Sequence, residues 1–188
     1  MRIISGNFKG KKIIEPKDKK TRPLKDLTKE SIFNIIAHSN KFEIKLENSN
    51  ILDLFSGVGS FGIECLSRNV KYVTFVEKYN GVLDILKKNL SNLKKIDNYE
   101  VIEKDIYDKN FFFKFKKTFD IIFLDPPYKD KNLENLLIKI KDQKILNKNG
   151  IIILHRHKNE TKSFASNFKL IEQKIYGISK IIFLSYLD

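Results

Sequence analysis

The sequence predicts an α/β chain of Rossmann-like design: a seven-stranded, mostly parallel sheet, an antiparallel C-terminal hairpin and a basic N-terminal extension. Three observations point to it. From Asn50 onward, short apolar runs alternate with stretches of helical period, the pattern of strands joined by crossover helices. The run Phe119–Leu124 (FDIIFL) is apolar at all but one position and does not alternate, as expected of a strand buried on both faces. The last two apolar runs, Phe168–Ile175 and Ile178–Tyr186, are joined tightly through Tyr176-Gly177 and therefore pair antiparallel.

The 188 residues suffice for one main domain that buries roughly two-thirds of its unfolded surface. A formal net charge of +13 suits a polyanionic partner, most simply nucleic acid. The 32 Lys against 4 Arg, with 17 Asn, would also follow from a general compositional bias without any binding role. A single cysteine, Cys65, excludes an internal disulfide and suggests a reducing compartment. The N-terminus MRIISGNFKG has no apolar core of a secretory signal, and no apolar run approaches the ~20 residues that span a bilayer. A soluble cytoplasmic protein is expected, and a monomer, since no long exposed apolar stripe is evident.

Taken in order, Arg2–Ser5 and Lys11–Ile14 read as short strands around Gly6 and Gly10, a hairpin-like arm. Residues 1 to 30 hold ten basic side chains against four acids, which is +6 of the net charge. A flexible arm of this charge, with Phe8 interleaved, suits tracking phosphates, and Lys9, Lys11 and Lys12 are its expected substrate contacts. A solvated surface hairpin would have the same composition. Thr21-Arg22-Pro23 ends the arm. Asp26–Ala37 follows as a helix with Ile32, Phe33, Ile35 and Ile36 inward and Asp26 or Thr28 as its cap. The polar stretch 41–50 divides an N-terminal unit, residues 1–49, from the main domain, residues 50–188.

In that domain Ile51–Phe55 is the first strand and Phe61–Arg68 its helix. Tyr72–Val76 is the second strand, with Val82–Leu90 as the helix behind it. Glu100–Glu103 and Phe119–Leu124 are strands three and four, and Leu133–Ile140 is a helix. Asn149-Gly150 reads as a turn before strand five, Ile151–Leu154. No internal repeat is present.

The chemistry concentrates at the ends of these strands. Strand four stops at Asp125-Pro126-Pro127-Tyr128, where two prolines without N–H groups end the ladder and Asp125 is held extended. Such a stiff loop offers a carboxylate, carbonyls without competing amide donors and an aromatic face, which suits a flat, amine-bearing group. Strand one runs into Asp53–Gly62 (DLFSGVGSFG), where Gly57 and Gly59 let the backbone pass close under a ligand. The following helix turns free N–H groups towards it. Gly57-x-Gly59-x-x-Gly62, with Glu77 downstream, formally satisfies the dinucleotide fingerprint. Two features argue against a nicotinamide cofactor. Asp53, placed in the turn, would repel a pyrophosphate but orient the ammonium and sulfonium of S-adenosylmethionine, and an Asp-Pro-Pro-Tyr loop has no role in hydride transfer. The terminal antiparallel pair, too, is typical of one group of methyltransferases. Glu77 can accept both ribose hydroxyls and Asp105 the adenine amine, with Ile106 against the ring. Phe55, Ser56 and Lys78 flank these positions and complete the expected cofactor site, to which Asp125 also contributes. His155 and His157 share one strand face, with no third ligand nearby, so no metal is expected.

LDLFSGVGSFGIE, FVEK and FLDPPY together resemble the amino-methyltransferases of the class I, S-adenosylmethionine-dependent fold. MRIISGNFKGKKI, TRP, KESIFNII and SGVGSFGIECLSR narrow the likeness to the RsmD family, across nearly the whole chain from Arg2 to about Tyr186. That resemblance implies methylation of a guanine exocyclic N2 amine in 16S ribosomal RNA, at position 966, within a small subunit or an assembly intermediate. It implies that Asp125, Pro126, Pro127 and Tyr128 carry the chemistry and that Arg22 and Pro23, with Tyr128, meet the substrate. Three places depart from the family pattern. Leu24 stands where Thr is usual, Leu27 where Arg is common, and Leu154-His155-Arg156 where a glutamate commonly ends strand five. A DNA amino-methyltransferase would need a larger target-recognition domain, and enzymes of protein glutamine favour Asn at the position of Asp125. A non-catalytic RNA-binding assembly factor is the reading from a different class.

Overall fold

The structure, a computed structural model, describes residues 1–16, 24–160 and 168–187. Seven strands form one sheet: β1 (Asn50–Leu54), β2 (Tyr72–Glu77), β3 (Tyr99–Glu103), β4 (Phe119–Leu124), β5 (Leu146–His157), β6 (Phe168–Tyr176) and β7 (Ser179–Tyr186). Their order is β3-β2-β1-β4-β5-β7-β6. The first five are parallel, and β7 runs antiparallel to both β5 and β6. Tyr176 pairs with Ser179, which leaves Gly177-Ile178 as a two-residue turn with Gly177 at φ +59°.

Alternate residues of the central strands enter opposite cores, as the pleat demands. Ile51, Phe75, Ile121, Phe123 and Ile153 face α1 (Asp26–His38), α2 (Ser60–Ser67) and α3 (Asn80–Ser91). Leu52, Leu54, Ile122, Leu124 and Leu154 face α4 (Leu133–Asp142), with Phe111 and Phe112. Phe61 of α2 stacks on Phe123 of β4 and on Phe33 of α1, with centroids 4.0 and 5.3 Å apart, so one aromatic column ties α1 to the sheet.

The N-terminal hairpin forms, with Arg2 bridged to Lys12, but it is not a loose arm. Glu64 of α2, fully buried, accepts the N–H groups of Ile4 and Ser5 at 2.7 and 3.0 Å. The Ser67 carbonyl accepts Asn7 N–H at 2.7 Å, and Asn89 of α3 accepts Ile14 N–H at 2.8 Å. Lys29, fully buried, donates to the Arg2 carbonyl at 2.7 Å and lies 3.6 Å from Glu64. Burial pushes the Lys29 amine below its usual range, against the pull of Glu64 and Asp26. Ile3, Ile13 and Leu24 share the core of α1 and α2, so the hydrophobic interior runs unbroken across the 49/50 boundary.

Two local expectations change. Neither Asp26 nor Thr28 caps α1: Lys25 is the N-cap residue, Asp26 accepts the Arg2 N–H instead, and Thr28 is buried within the helix. Asn149-Gly150 is not a turn ahead of strand five but lies inside β5. There the register shifts, β5 advancing from Leu146 to Ile151 while β4 advances from Phe119 to Ile121. No helix among the described residues is long and apolar enough to cross a membrane.

Candidate active site

Strand order reverses between β1 and β4, and the crevice beyond their carboxyl ends is where open α/β sheets hold ligands. Asp53, Glu77, Asp105 and Asp125 come from the carboxyl ends of four neighbouring strands and converge there.

After Leu54 the chain turns sharply. Phe55 adopts φ +61°, uncommon for a bulky residue, and Gly57 and Gly59 adopt +54° and +87°. Ser56 fixes the turn: its hydroxyl accepts the Val76 N–H at 2.9 Å and donates to the Asp53 carbonyl at 2.6 Å. Glu77 holds it from β2, with Oε2 accepting the Gly57 N–H at 2.8 Å. Its Oε1 accepts the N–H groups of Lys78 and Tyr79 at 2.9 and 2.8 Å. The second strand's acid thus braces the first strand's loop, which the sequence did not suggest.

Asp53 lies within β1 rather than in the turn, and it is buried. Its Oδ2 accepts the Gly62 N–H in the first turn of α2 at 3.0 Å. Burial pushes this carboxyl well above the usual range; the Gly62 N–H opposes that, and the charges of Asp125 and Glu77 add to it. Gly62 is required here, since a Cβ would lie 2.3 Å from the Phe75 ring and 2.9 Å from Asp53 Oδ2.

Asp105 pairs with Lys78 at 2.7 Å through Oδ2 and accepts the Tyr107 N–H at 3.0 Å through Oδ1. Burial alone would raise its carboxyl, but Lys78 and that N–H outweigh it and hold the group below the usual range. Ile106 is buried beside it. The Tyr107 hydroxyl donates to Asp130 at 2.7 Å, tying the loop after β3 to the loop after β4. Burial, with the Asp130 hydrogen bond, pushes that phenol upward, so it stays a donor.

The Asp125 loop is held from both sides of β5. On one face His155 Nδ1 lies 2.8 Å from Asp125 Oδ1, and its Nε2 lies 2.8 Å from the hydroxyl of Ser179 on β7. On the other, buried Arg156 donates to the carbonyls of Pro126, Pro127 and Tyr128 at 3.3, 3.1 and 3.0 Å. It also pairs with Glu160 at 3.0 Å. The carbonyls of Pro126 and Tyr128 meet this guanidinium, while that of Pro127, expected to have no competing amide donor, also accepts the Asp130 N–H at 2.8 Å. Tyr128 is half-buried and meets the rings of His155 and His157 edge-on, at 6.2 and 5.3 Å between centroids. Tyr107, His155, Arg156 and Ser179 were not among the expected site residues. Extending strand five in register with strand four, Leu154 opposite Leu124, would have set His155 beside Asp125.

The expected substrate contacts are dispersed. Lys9 and Lys11 lie at the hairpin tip, beside Ser67, Asn69 and Asn92. That is the amino-end edge of the sheet, away from Asp125. Lys11 donates to the Asn92 carbonyl at 3.3 Å, and Lys12 is exposed opposite Arg2. Arg22 and Pro23 lie outside the described residues.

Known proteins agree with this architecture. The family model described as Conserved hypothetical protein 95 matches residues 1–185. A Haemophilus influenzae protein named ribosomal RNA small subunit methyltransferase D is 34% identical over 182 residues, 95% of this chain and 90% of that protein. A solved Haemophilus influenzae structure described as a candidate methylase superposes with a TM-score of 0.75 at 32% identity, covering 100% of this chain and 98% of that one. A candidate methyltransferase from Escherichia coli superposes with a TM-score of 0.81 at 27% identity, covering 99% and 97%. The chain belongs to the Conserved hypothetical protein 95 family, that of the RsmD methyltransferases.

Proposed function

We propose that this protein transfers a methyl group from S-adenosylmethionine to the exocyclic N2 amine of a guanine in 16S ribosomal RNA, at position 966, within a small subunit or an assembly intermediate. The observation that carries it is the place of Asp125: its N–H reaches the Leu54 carbonyl at 3.5 Å, so the Asp-Pro-Pro-Tyr loop abuts the loop after β1. The donor set fits the cofactor. Carboxylates crowd the crevice closely enough that Asp125 and Glu77 raise the Asp53 carboxyl, an environment that favours ammonium and sulfonium groups and repels a pyrophosphate. In this reading Glu77 accepts a ribose hydroxyl on the Oε2 lone pair that the Gly57 N–H leaves, and Asp105, held ionised by Lys78, accepts an adenine amine over Ile106. The relative named ribosomal RNA small subunit methyltransferase D and the charge of +13 support an RNA substrate.

When bound, S-adenosylmethionine supplies an electrophilic methyl carbon. The guanine amine is a weak nucleophile because its lone pair is delocalised into the ring. Asp125 and the remaining lone pair of the Pro126 carbonyl accept its hydrogens and favour a pyramidal nitrogen with the lone pair facing the methyl group. Tyr128 stacks on the base, turned out of its helix or loop. The excess proton passes to Asp125 or to water after transfer. Arg22 and Pro23 complete the substrate contacts.

Calorimetric titration with S-adenosylmethionine, followed by incubation with labelled cofactor and unmethylated small subunits, DNA or protein, tests this reading. Cofactor binding with label in ribosomal RNA is expected. Label on DNA or protein instead would overturn the substrate class, and binding without transfer to any of them would favour an assembly factor.

A further inference from the structure

His155 occupies the β5 position beside Asp125, one residue beyond the Leu124–Leu154 pair, and is 7% exposed. It lies between Asp125 Oδ1 and the buried hydroxyl of Ser179, each at 2.8 Å. A carboxylate offers only lone pairs, so the Nδ1 of the ring carries the proton and donates it. Nε2 then accepts from Ser179 in the neutral ring, or donates to Ser179 in the imidazolium. The Asp125 Oδ2 has no hydrogen bond among the described residues.

Resting on the methyl-transfer reading above, we propose that His155, set by Ser179, is a positioning residue that fixes the rotation of the Asp125 carboxylate so that Oδ2 alone faces the substrate amine. Arg156 immobilises the loop's backbone from the opposite face but touches only carbonyls of that loop, so the carboxylate would still rotate about Cβ–Cγ without His155. The other charged or titratable groups around the ring are Asp53, which senses Asp125 from the β1 side; Arg156, on the opposite face; and His157, across Tyr128. Lys180, beside Ser179, donates to the Glu160 carbonyl. None of these reaches Asp125 Oδ1. During the reaction the substrate nitrogen takes the methyl carbon from the sulfonium, whose sulfur keeps the pair of the broken bond, and then yields one proton to Oδ2 or to water. The Nδ1–H···Oδ1 bond persists throughout, and His155 neither gives up nor gains a proton.

The isosteric pair His155→Asn and His155→Leu separates this role from packing, because the Asn amide nitrogen takes the place of Nδ1 and Leu has no donor. His155→Leu is expected to lower kcat roughly 30- to 100-fold, with the KM for small subunits and the Kd for S-adenosylmethionine within about threefold. His155→Asn is expected to recover kcat to within about fivefold of the parent. Side-chain ¹⁵N spectra of the full chain, assigned with His155→Asn, should show a protonated Nδ1 whose shift moves in Asp125→Ala. Equal kcat losses in the two variants, or joint losses in kcat and cofactor binding, would overturn the proposal. So would an unprotonated Nδ1, whatever the activity. A parent protein that shows the Nδ1 signal but methylates no RNA would overturn the methyl-transfer reading and leave the ring's hold on Asp125 standing.

Discussion

Arg156 donates to the Tyr128 carbonyl at 3.0 Å from a side chain that is 2% exposed, so a buried cation ends the Asp125 loop. One planar guanidinium serves the carbonyls of Pro126, Pro127 and Tyr128 and the carboxylate of Glu160. Two prolines deprive the loop of N–H groups, and the side-chain fork supplies donors to its carbonyls, that of Pro127 accepting the Asp130 N–H as well.

Arg156→Met keeps the length but leaves three carbonyls and Glu160 without that donor. A loss of about 2–4 kcal/mol in urea denaturation is expected, with kcat reduced at least tenfold. Arg156→Lys supplies a point donor in place of a fork and should fall between the two.

What could be read from sequence was local. Asp53, Glu77, Asp105 and Asp125 sit at the carboxyl ends of strands that their apolar runs reveal, and Pro126-Pro127 marks a chain end of β4. Gly57 and Gly59 disclosed the turn because only such residues adopt its φ values comfortably. Less legible were contacts made across the sheet. His155 and Arg156 look like a polar end to an apolar strand until β5 is placed in register with β4. The hairpin's attachment depends on Glu64, about sixty residues away in sequence, which reads as an ordinary helix acid. The bulge that draws Asn149-Gly150 into β5 has the composition of a turn.

Burial of Asp53 costs stability that the proposed cofactor-binding role would justify. Its carboxyl titrates above the usual range, so the native state holds its proton where the unfolded chain has released it. The contribution of this group to stability is therefore present at acid pH and is lost as pH rises from the usual carboxylate value through the raised one. Asp53→Asn still accepts from Gly62 and should stabilise the cofactor-free protein at pH 8. That advantage should shrink as pH falls towards 4, while cofactor binding weakens. Thermal unfolding across pH, with calorimetric titration, reads both.

Glu77 braces Gly57 and, in the proposed function, also meets the ribose. Glu77→Gln retains one acceptor for the loop but replaces the other with an amide donor facing the Lys78 and Tyr79 N–H groups or the ribose. The Kd for S-adenosylmethionine should rise roughly 10- to 100-fold, about 1.4–2.8 kcal/mol. Unfolding should shift far less than this, as equilibrium denaturation would show.

Glu64→Ala removes the acceptor shared by Ile4, Ser5, Arg68 and Lys29 and leaves Lys29 buried without its main counter-charge. A loss of about 3–5 kcal/mol is expected. Amide hydrogens of Ile4 and Ser5 should exchange faster than those of the sheet. Lys29→Met should cost less, because Glu64 keeps Arg68 at 3.0 Å and both backbone donors.

Asp125 is the group on which the proposed chemistry turns, and mass identification of the modified nucleoside tests it most directly. Small subunits from cells lacking this enzyme would be incubated with labelled S-adenosylmethionine and either the parent protein or Asp125→Ala. The expected result is N2-methylguanosine at a single site with the parent, and turnover reduced at least 1,000-fold in Asp125→Ala with cofactor binding only partly weakened. Near-normal turnover in Asp125→Ala, or a methyl group on any atom other than an exocyclic amine, would contradict it.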